Sequence, residues 1–225
     1  MRRFFYPFFL LILFTAASLS LAERQEKTLA PPGAPVIVLV DPGHGGYDPG
    51  VLSGGLREAD ITLAVGQHLQ AALEKRGISV AMTRESDVDY APSGSRGLDS
   101  KRADLRRRLE IADELQAQMF ISLHANVSTL ATRGGAEVFY SDETPGAKEL
   151  AESVQTALHK LPGMSKRDAK AAKYYLLRSQ PIPALIIECG YLNIADDRHR
   201  LTSGDSQRAL AEAIADGVSS HLQKQ

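Results

Sequence analysis

The stretch IVLVDPGHGGYDPG, residues 37 to 50, decides the fold. Its opening run of aliphatic and β-branched residues has no polar interruption and reads as a strand. The run stops at Asp41-Pro42 and gives way to glycines around one histidine, His44. A strand followed by glycines is also how phosphate cradles begin. Here GxGxxG would need glycine where Asp48 stands, and no GxxxxGK[ST] occurs anywhere, which disfavours a nucleotide loop. The glycines instead permit a tight turn that a neighbouring backbone or a substrate can approach closely.

Outward from this stretch, further runs rich in β-branched and aromatic residues predict strands at 78 to 84, 118 to 124, 135 to 141, 173 to 179 and 184 to 189, after a first at 35 to 41. Helical patterns lie between them. Ile61, Val65, Leu69 and Leu73 form a stripe that ends at Gly77, and Leu105, Leu109, Ala112 and Leu115 form another. Weaker patterns cover 146 to 160 and 206 to 223. Strands separated by helices predict a single α/β domain, a mostly parallel twisted sheet of about six strands with helices on both faces, of the phosphorylase/hydrolase-like kind. Gly134-Gly135 is positioned to lead into an antiparallel partner. No internal repeat or low-complexity tract is present.

Composition limits the class. The chain has 225 residues, 44% of them apolar, enough for one sizeable core without crosslinks. Residues 1 to 22 carry two arginines, a charge-free apolar stretch and Ser20-Leu21-Ala22, which read as an export signal; the stretch from Phe4 to Ala22 is also long enough to serve as an uncleaved membrane anchor. Tyr6, Pro7, Thr15, Ser18 and Ser20 dilute it and favour cleavage. Residues 23 to 34 read as a linker and 35 to 225 as the globular domain. Without Arg2 and Arg3 the chain keeps 24 Lys plus Arg against 27 Asp plus Glu, so no nucleic-acid partner is expected. Cys189 is the only cysteine, which excludes an intrachain disulfide and a multi-thiolate zinc site.

Three capable side chains fall at strand C-terminal ends: His44 after the first strand, His124 closing FISLH, and Glu188 closing ALIIE. In open α/β sheets ligands bind at that edge. Each has a plainer reading taken alone: His44 as a turn residue, Glu58 as an ordinary acid in the first turn of a helix, His124 as a hydrogen-bonded core histidine. Taken together, two neutral imidazoles and a carboxylate, His44, His124 and Glu58, make the ligand set of many hydrolytic zinc sites. Glu188 then remains to move protons, and a nearby cation would relieve the cost of burying it. Serine hydrolysis is disfavoured because GxSxG is absent.

DPGHGGYDPG, the following Glu58, FISLHAN and ALIIECGYLN, in this order and spacing, resemble the zinc-dependent N-acetylmuramoyl-L-alanine amidases (amidase type 3) of bacterial cell-wall metabolism. The likeness spans nearly all of residues 35 to 222. It includes Met82-Thr83-Arg84 with Asp87, Arg108, and Gly134-Gly135-Ala136-Glu137-Val138. The resemblance implies one Zn2+ per chain on His44, Glu58 and His124, with Glu188 as the catalytic carboxylate and peptidoglycan as substrate. Arg167-Asp168-Ala169-Lys170, Tyr174 to Arg178 and Asp104 to Arg108 echo the germination-specific, spore-cortex branch. That branch strips stem peptides so that muramic δ-lactam can form, which implies an extracytoplasmic place in the cell wall, spore cortex or intermembrane space. Cys189 and Asp113 depart from the family pattern without touching a proposed ligand. Strand alternation turns Cys189 away from the face of Glu188, so it is expected to be an inert buried thiol.

Around this core, Arg108 is a candidate for meeting substrate carboxylates, for orienting the loop at the sheet edge, or for a structural ion pair. Asp41 and Asn126 are candidates for orienting His44 or the substrate. His68, His159, His199 and His221 are set aside as surface residues. The segment from Glu85 to Ser100 is short and turn-rich, so no internal autoinhibitory helix is expected, and a regulatory protein partner is left open and unidentified. Two rival functions remain at this point: a catalytically silent peptidoglycan-binding protein and a zinc exopeptidase on free peptides.

Overall fold

In the computed structural model the described residues are 37–128, 133–178 and 181–225. The export signal or anchor at 1 to 22 and the linker at 23 to 34 lie outside them. The decisive stretch opens β1 (Ile37–Pro42), an interior strand of the sheet. It pairs in parallel with β4 (Ser79–Met82) on one side and β5 (Met119–Asn126) on the other. Next, β5 pairs in parallel with β8 (Ala184–Tyr191), placing His124 directly beside Glu188 in register. The strand after the double glycine, β6 (Glu137–Tyr140), runs antiparallel to β8, as its lead-in suggested, and puts Glu137 on the other side of Glu188. A two-residue strand, β7 (Lys170–Ala171), closes the sheet in the order β4-β1-β5-β8-β6-β7. A small hairpin of β2 (Leu52–Ser53) and β3 (Leu56–Arg57) stands apart from it.

Because successive side chains of a strand point to opposite faces, the central strands feed two cores. Val38, Val40, Ile121, Leu123 and Ile187 pack with residues of α1 (Glu58–Glu74), α3 (Ala147–Leu158) and α6 (Gly204–Leu222). Leu39, Phe120 and Ile186 turn the other way, toward α2 (Leu98–Glu114) and α4 (Tyr175–Arg178). The expected stripe Ile61, Val65, Leu69 and Leu73 is buried in α1. Cys189 lies in the first core with Ile187, on the opposite face from Glu188, and burial pushes its thiol up in pKa. A short helix, α5 (Ala195–Thr202), follows β8. Among the described residues no helix is long and apolar enough to cross a membrane.

Three expectations need correction. The strand predicted over 173 to 179 is instead the helical turn α4, preceded by β7. Leu176 and Leu177 are adjacent and both enter the second core, which one helical turn allows and a pleated strand, with its alternating faces, does not. Leu115 lies just past α2 and is 39% exposed, so the second helical stripe ends at Ala112. His221 is buried on α6, where Gln225 hydrogen-bonds its ring.

Candidate metal centre

The decisive stretch leaves β1 as a knot of backbone held by two buried arginines. Arg84 Nε donates to the carbonyl of Pro42 (2.8 Å) and its Nη2 to those of Gly43 (3.0 Å) and Ala59 (2.8 Å). Arg108 Nη1 reaches Pro42 O (2.9 Å) and Nη2 reaches His44 O (2.7 Å). Gly45 and Asp48 close the turn with reciprocal backbone hydrogen bonds. Within it His44 takes a left-handed conformation (φ 64°) that places its ring over the sheet edge.

Glu58, the first residue of α1, sits between the two imidazoles. Its Oε2 lies 3.1 Å from His44 Nε2 and accepts Val51 N–H at 2.8 Å. Its Oε1 lies 3.0 Å from His124 Nδ1 and accepts Ala125 N–H at 2.9 Å. The imidazole rings meet edge to face with centroids 5.0 Å apart. One donor atom from each of the three residues falls within 4.8 Å of the others, a group able to hold a metal ion. Close approach explains Gly43 and Gly50: a Cβ on Gly43 would sit 2.4 Å from His124 Cε1, and one on Gly50 would sit 2.5 Å from Glu58 Oε2.

Electrostatics bind the three together. Burial works against charge on both Glu58 and His44. At Glu58 the hydrogen bonds and charges of His124 and His44 win and hold the carboxyl well below its usual range. At His44 the hydrogen bonds to Asp48 and Glu58 win and lift the imidazole to about 9. Asp48 Oδ2 faces His44 Nδ1 at 2.9 Å, so it fixes which nitrogen points at Glu58.

Glu188 lines the same cavity of about 340 Å3 as His44, Glu58, His124, Asn126 and Lys101. Burial, reinforced by the charges of Glu58 and Glu137 and opposed by the two histidines, raises its pKa. Its Oε2 is buried and accepts no hydrogen bond, whereas Glu137 beside it is satisfied by Tyr191 Oη (2.8 Å), Arg167 Nε (2.9 Å) and Lys170 Nζ (3.1 Å). A larger groove of about 800 Å3 between α3 and α6 contains no such group of three ligands among the described residues.

The sequence profile of the N-acetylmuramoyl-L-alanine amidases matches residues 38–220. The chain belongs to that family. The germination-specific N-acetylmuramoyl-L-alanine amidase of Bacillus subtilis (strain 168) is 33% identical over 184 residues, 81% of this chain and 78% of that one. The sporulation-specific amidase of the same organism is 29% identical over 189 residues, 81% of this chain and 67% of that one. Among solved structures, the CwlD amidase of Clostridioides difficile in complex with the GerS lipoprotein superposes with a TM-score of 0.80 at 31% identity, covering 84% of this chain and all of that one. The molecule is therefore a peptidoglycan amidase, which decides against both the silent binder and the exopeptidase.

Within this amidase, Arg108 is not free to meet a substrate carboxylate. It is 1% exposed and pairs with Asp41 (2.7 Å) and Asp104 (2.8 Å) while gripping the His44 loop. Asp41 in turn does not touch His44; it accepts from Thr83 Oγ1 and Ser122 Oγ, each at 2.6 Å, beneath the site. Asp48 holds the imidazole instead. Its i+4 spacing within the quoted motif was the signal available in the sequence. Asn126 lines the cavity and its carbonyl accepts Leu192 N–H at 2.8 Å. Of the segment from Glu85 to Ser100, the last three residues already belong to α2, and Asp87 and Asp89 accept the N–H groups of Gly46 (2.8 Å) and Tyr47 (3.0 Å), buttressing the turn.

Proposed function

We propose that His44, Glu58 and His124 hold one zinc ion and that Glu188 moves protons in cleaving the bond between the lactyl carbonyl of N-acetylmuramic acid and L-alanine. The donor set supports this: two imidazoles and one carboxylate converge within 4.8 Å, and the neighbouring Glu188 keeps a buried oxygen without a partner. Such an oxygen is costly unless a cation or an acidic proton faces it. When bound, a divalent zinc polarises a carbonyl and brings the pKa of coordinated water near 7.

The chain's own residues do the rest. Asp48 sets the tautomer of His44 by accepting from Nδ1, which leaves Nε2 toward Glu58. Backbone N–H groups of Val51 and Ala125 keep the Glu58 carboxylate oriented. Glu188, raised in pKa by burial, is suited to take a proton from water and return it to the leaving nitrogen. Gly43 and Gly50 leave no side chain between these groups.

The names of the germination- and sporulation-specific relatives support a role in spore-cortex peptidoglycan outside the cytoplasm, with residues 1 to 22 as the export signal or anchor. The lipoprotein seen with the Clostridioides difficile amidase supports a regulatory partner here as well. Metal content and product analysis on purified peptidoglycan test the assignment. Glu188→Gln is expected to retain about one zinc and lose turnover at least about a hundredfold, the usual scale of a lost acid–base group. His124→Ala is expected to lose both zinc and turnover. A Glu188→Gln protein that still releases stem peptides would remove Glu188 from the reaction.

A further inference from the structure

The cavity at the sheet edge is lined by the carboxylates of Asp48, Glu58 and Glu188, and Lys101 is its single Lys or Arg among the described residues. Lys101 lies in the first turn of α2, half exposed, with Nζ 3.7 Å from Asp48 Oδ2. That contact is loose beside the 2.9 Å bond Asp48 makes to His44. Other cations near the edge are committed: Arg84 and Arg108 to backbone carbonyls, Arg167 and Lys170 to Glu137. An anionic group entering this cavity is attracted at its rim by Lys101.

The substrate has such a group on one side only. The carboxyl of N-acetylmuramic acid is consumed in the scissile amide, so the glycan side is neutral there. On the peptide side L-alanine is neutral too, and the first anion is a free carboxylate on the acidic second residue of the stem. Two extended residues span at most about 7 Å, and Lys101 lines the same cavity as the three proposed ligands. Resting on the proposed assignment of the site, we infer that Lys101 is a specificity residue that binds this carboxylate, orienting the stem peptide toward α2 and the glycan away from it.

The test uses the zinc-loaded full chain and two muramoyl tripeptides differing only in whether the carboxyl of the second stem residue is free or amidated. Wild type is expected to favour the free carboxylate about fivefold in kcat/KM, the scale of a half-exposed ion pair, and through KM rather than kcat. Lys101→Gln should bring the ratio close to one, Lys101→Arg should keep most of it, and added salt should narrow it in wild type. A calorimetric comparison of the same peptides in Glu188→Gln and Glu188→Gln/Lys101→Gln gives the preference without turnover. No preference in wild type, an undiminished preference in Lys101→Gln, or an equal loss on both peptides would overturn the inference, the last by showing that Lys101 acts through Asp48 on His44. A wild type that binds with the expected preference but cleaves neither peptide would strike the proposed reaction and leave the role of Lys101 standing.

Discussion

At His44 a backbone conformation that costs about 1 to 3 kcal/mol in a residue with a Cβ is kept because its surroundings hold it from both ends. Arg108 binds its carbonyl and Asp48 binds its Nδ1. The ring is thereby aimed before any ligand arrives. Asp48 also supplies part of the reason that His44 titrates near 9, so Asp48→Asn, which keeps the shape and removes the charge, is expected to lower that value toward 6.5. Because the folded pKa is raised, the stabilisation from protonated His44 is complete below 6.5 and disappears as pH climbs through about 9. An NMR titration of the chelator-treated protein reads this directly. An unchanged His44 titration in the variant would show that Asp48 does not set the imidazole's charge.

Among the elements, the α3 and α6 pair shows how closely this fold is packed behind its site. A Cβ on Gly217 of α6 would lie 2.4 Å from Val154 Cα of α3, and Ser153 Oγ donates to Gly217 O at 2.8 Å. The helices touch backbone to backbone there. Alanine has the higher helix propensity by about 1 kcal/mol, so a purely local view predicts that Gly217→Ala stabilises. Overpacking at a contact this short opposes it, and the expected outcome is a net loss of about 1 to 3 kcal/mol in denaturant unfolding. A midpoint that rises instead would show that the two helices can separate at little cost. The α4 segment carries the same lesson in reverse: KYYLLRS has the composition of a strand, yet two adjacent leucines needing one core made it a helical turn.

For the molecule as a whole, a buried polar layer joins the sheet to the α2 side. Asp41 on β1, Ser122 on β5, Thr83 just past β4 and Arg108 on α2 meet at one carboxylate. Burial alone would raise the Asp41 pKa, but Arg108 and the two hydroxyls outweigh it and hold the carboxyl below its usual 3.8. Its contribution is therefore complete above about 3.8 and is lost as pH falls through the lower folded value. Asp41→Asn leaves Arg108 only partly compensated and is expected to cost about 3 kcal/mol near neutrality. The deficit should shrink below pH of about 3.8, where the unfolded wild-type chain begins to take up the proton, and further as pH falls through the lower folded value. Urea unfolding of both proteins across this range checks it, and a deficit independent of pH would assign the loss to shape instead of charge.

What could be read from the chain alone was whatever repeats at short range. Runs of β-branched and aromatic residues located the central strands, the i+4 stripe located α1, and the rule that ligands collect at strand C-terminal ends put His44, His124 and Glu188 along one edge. What only the tertiary structure decided were the partners of charged groups distant in sequence. Arg108 meets Asp41 across 67 positions, and Lys101 reaches the cavity from a helix that begins 54 residues after His44. Charged side chains have no periodicity that names a distant partner: their pairing follows from where packed apolar layers leave them, and that is settled only when the sheet and both helical layers have closed.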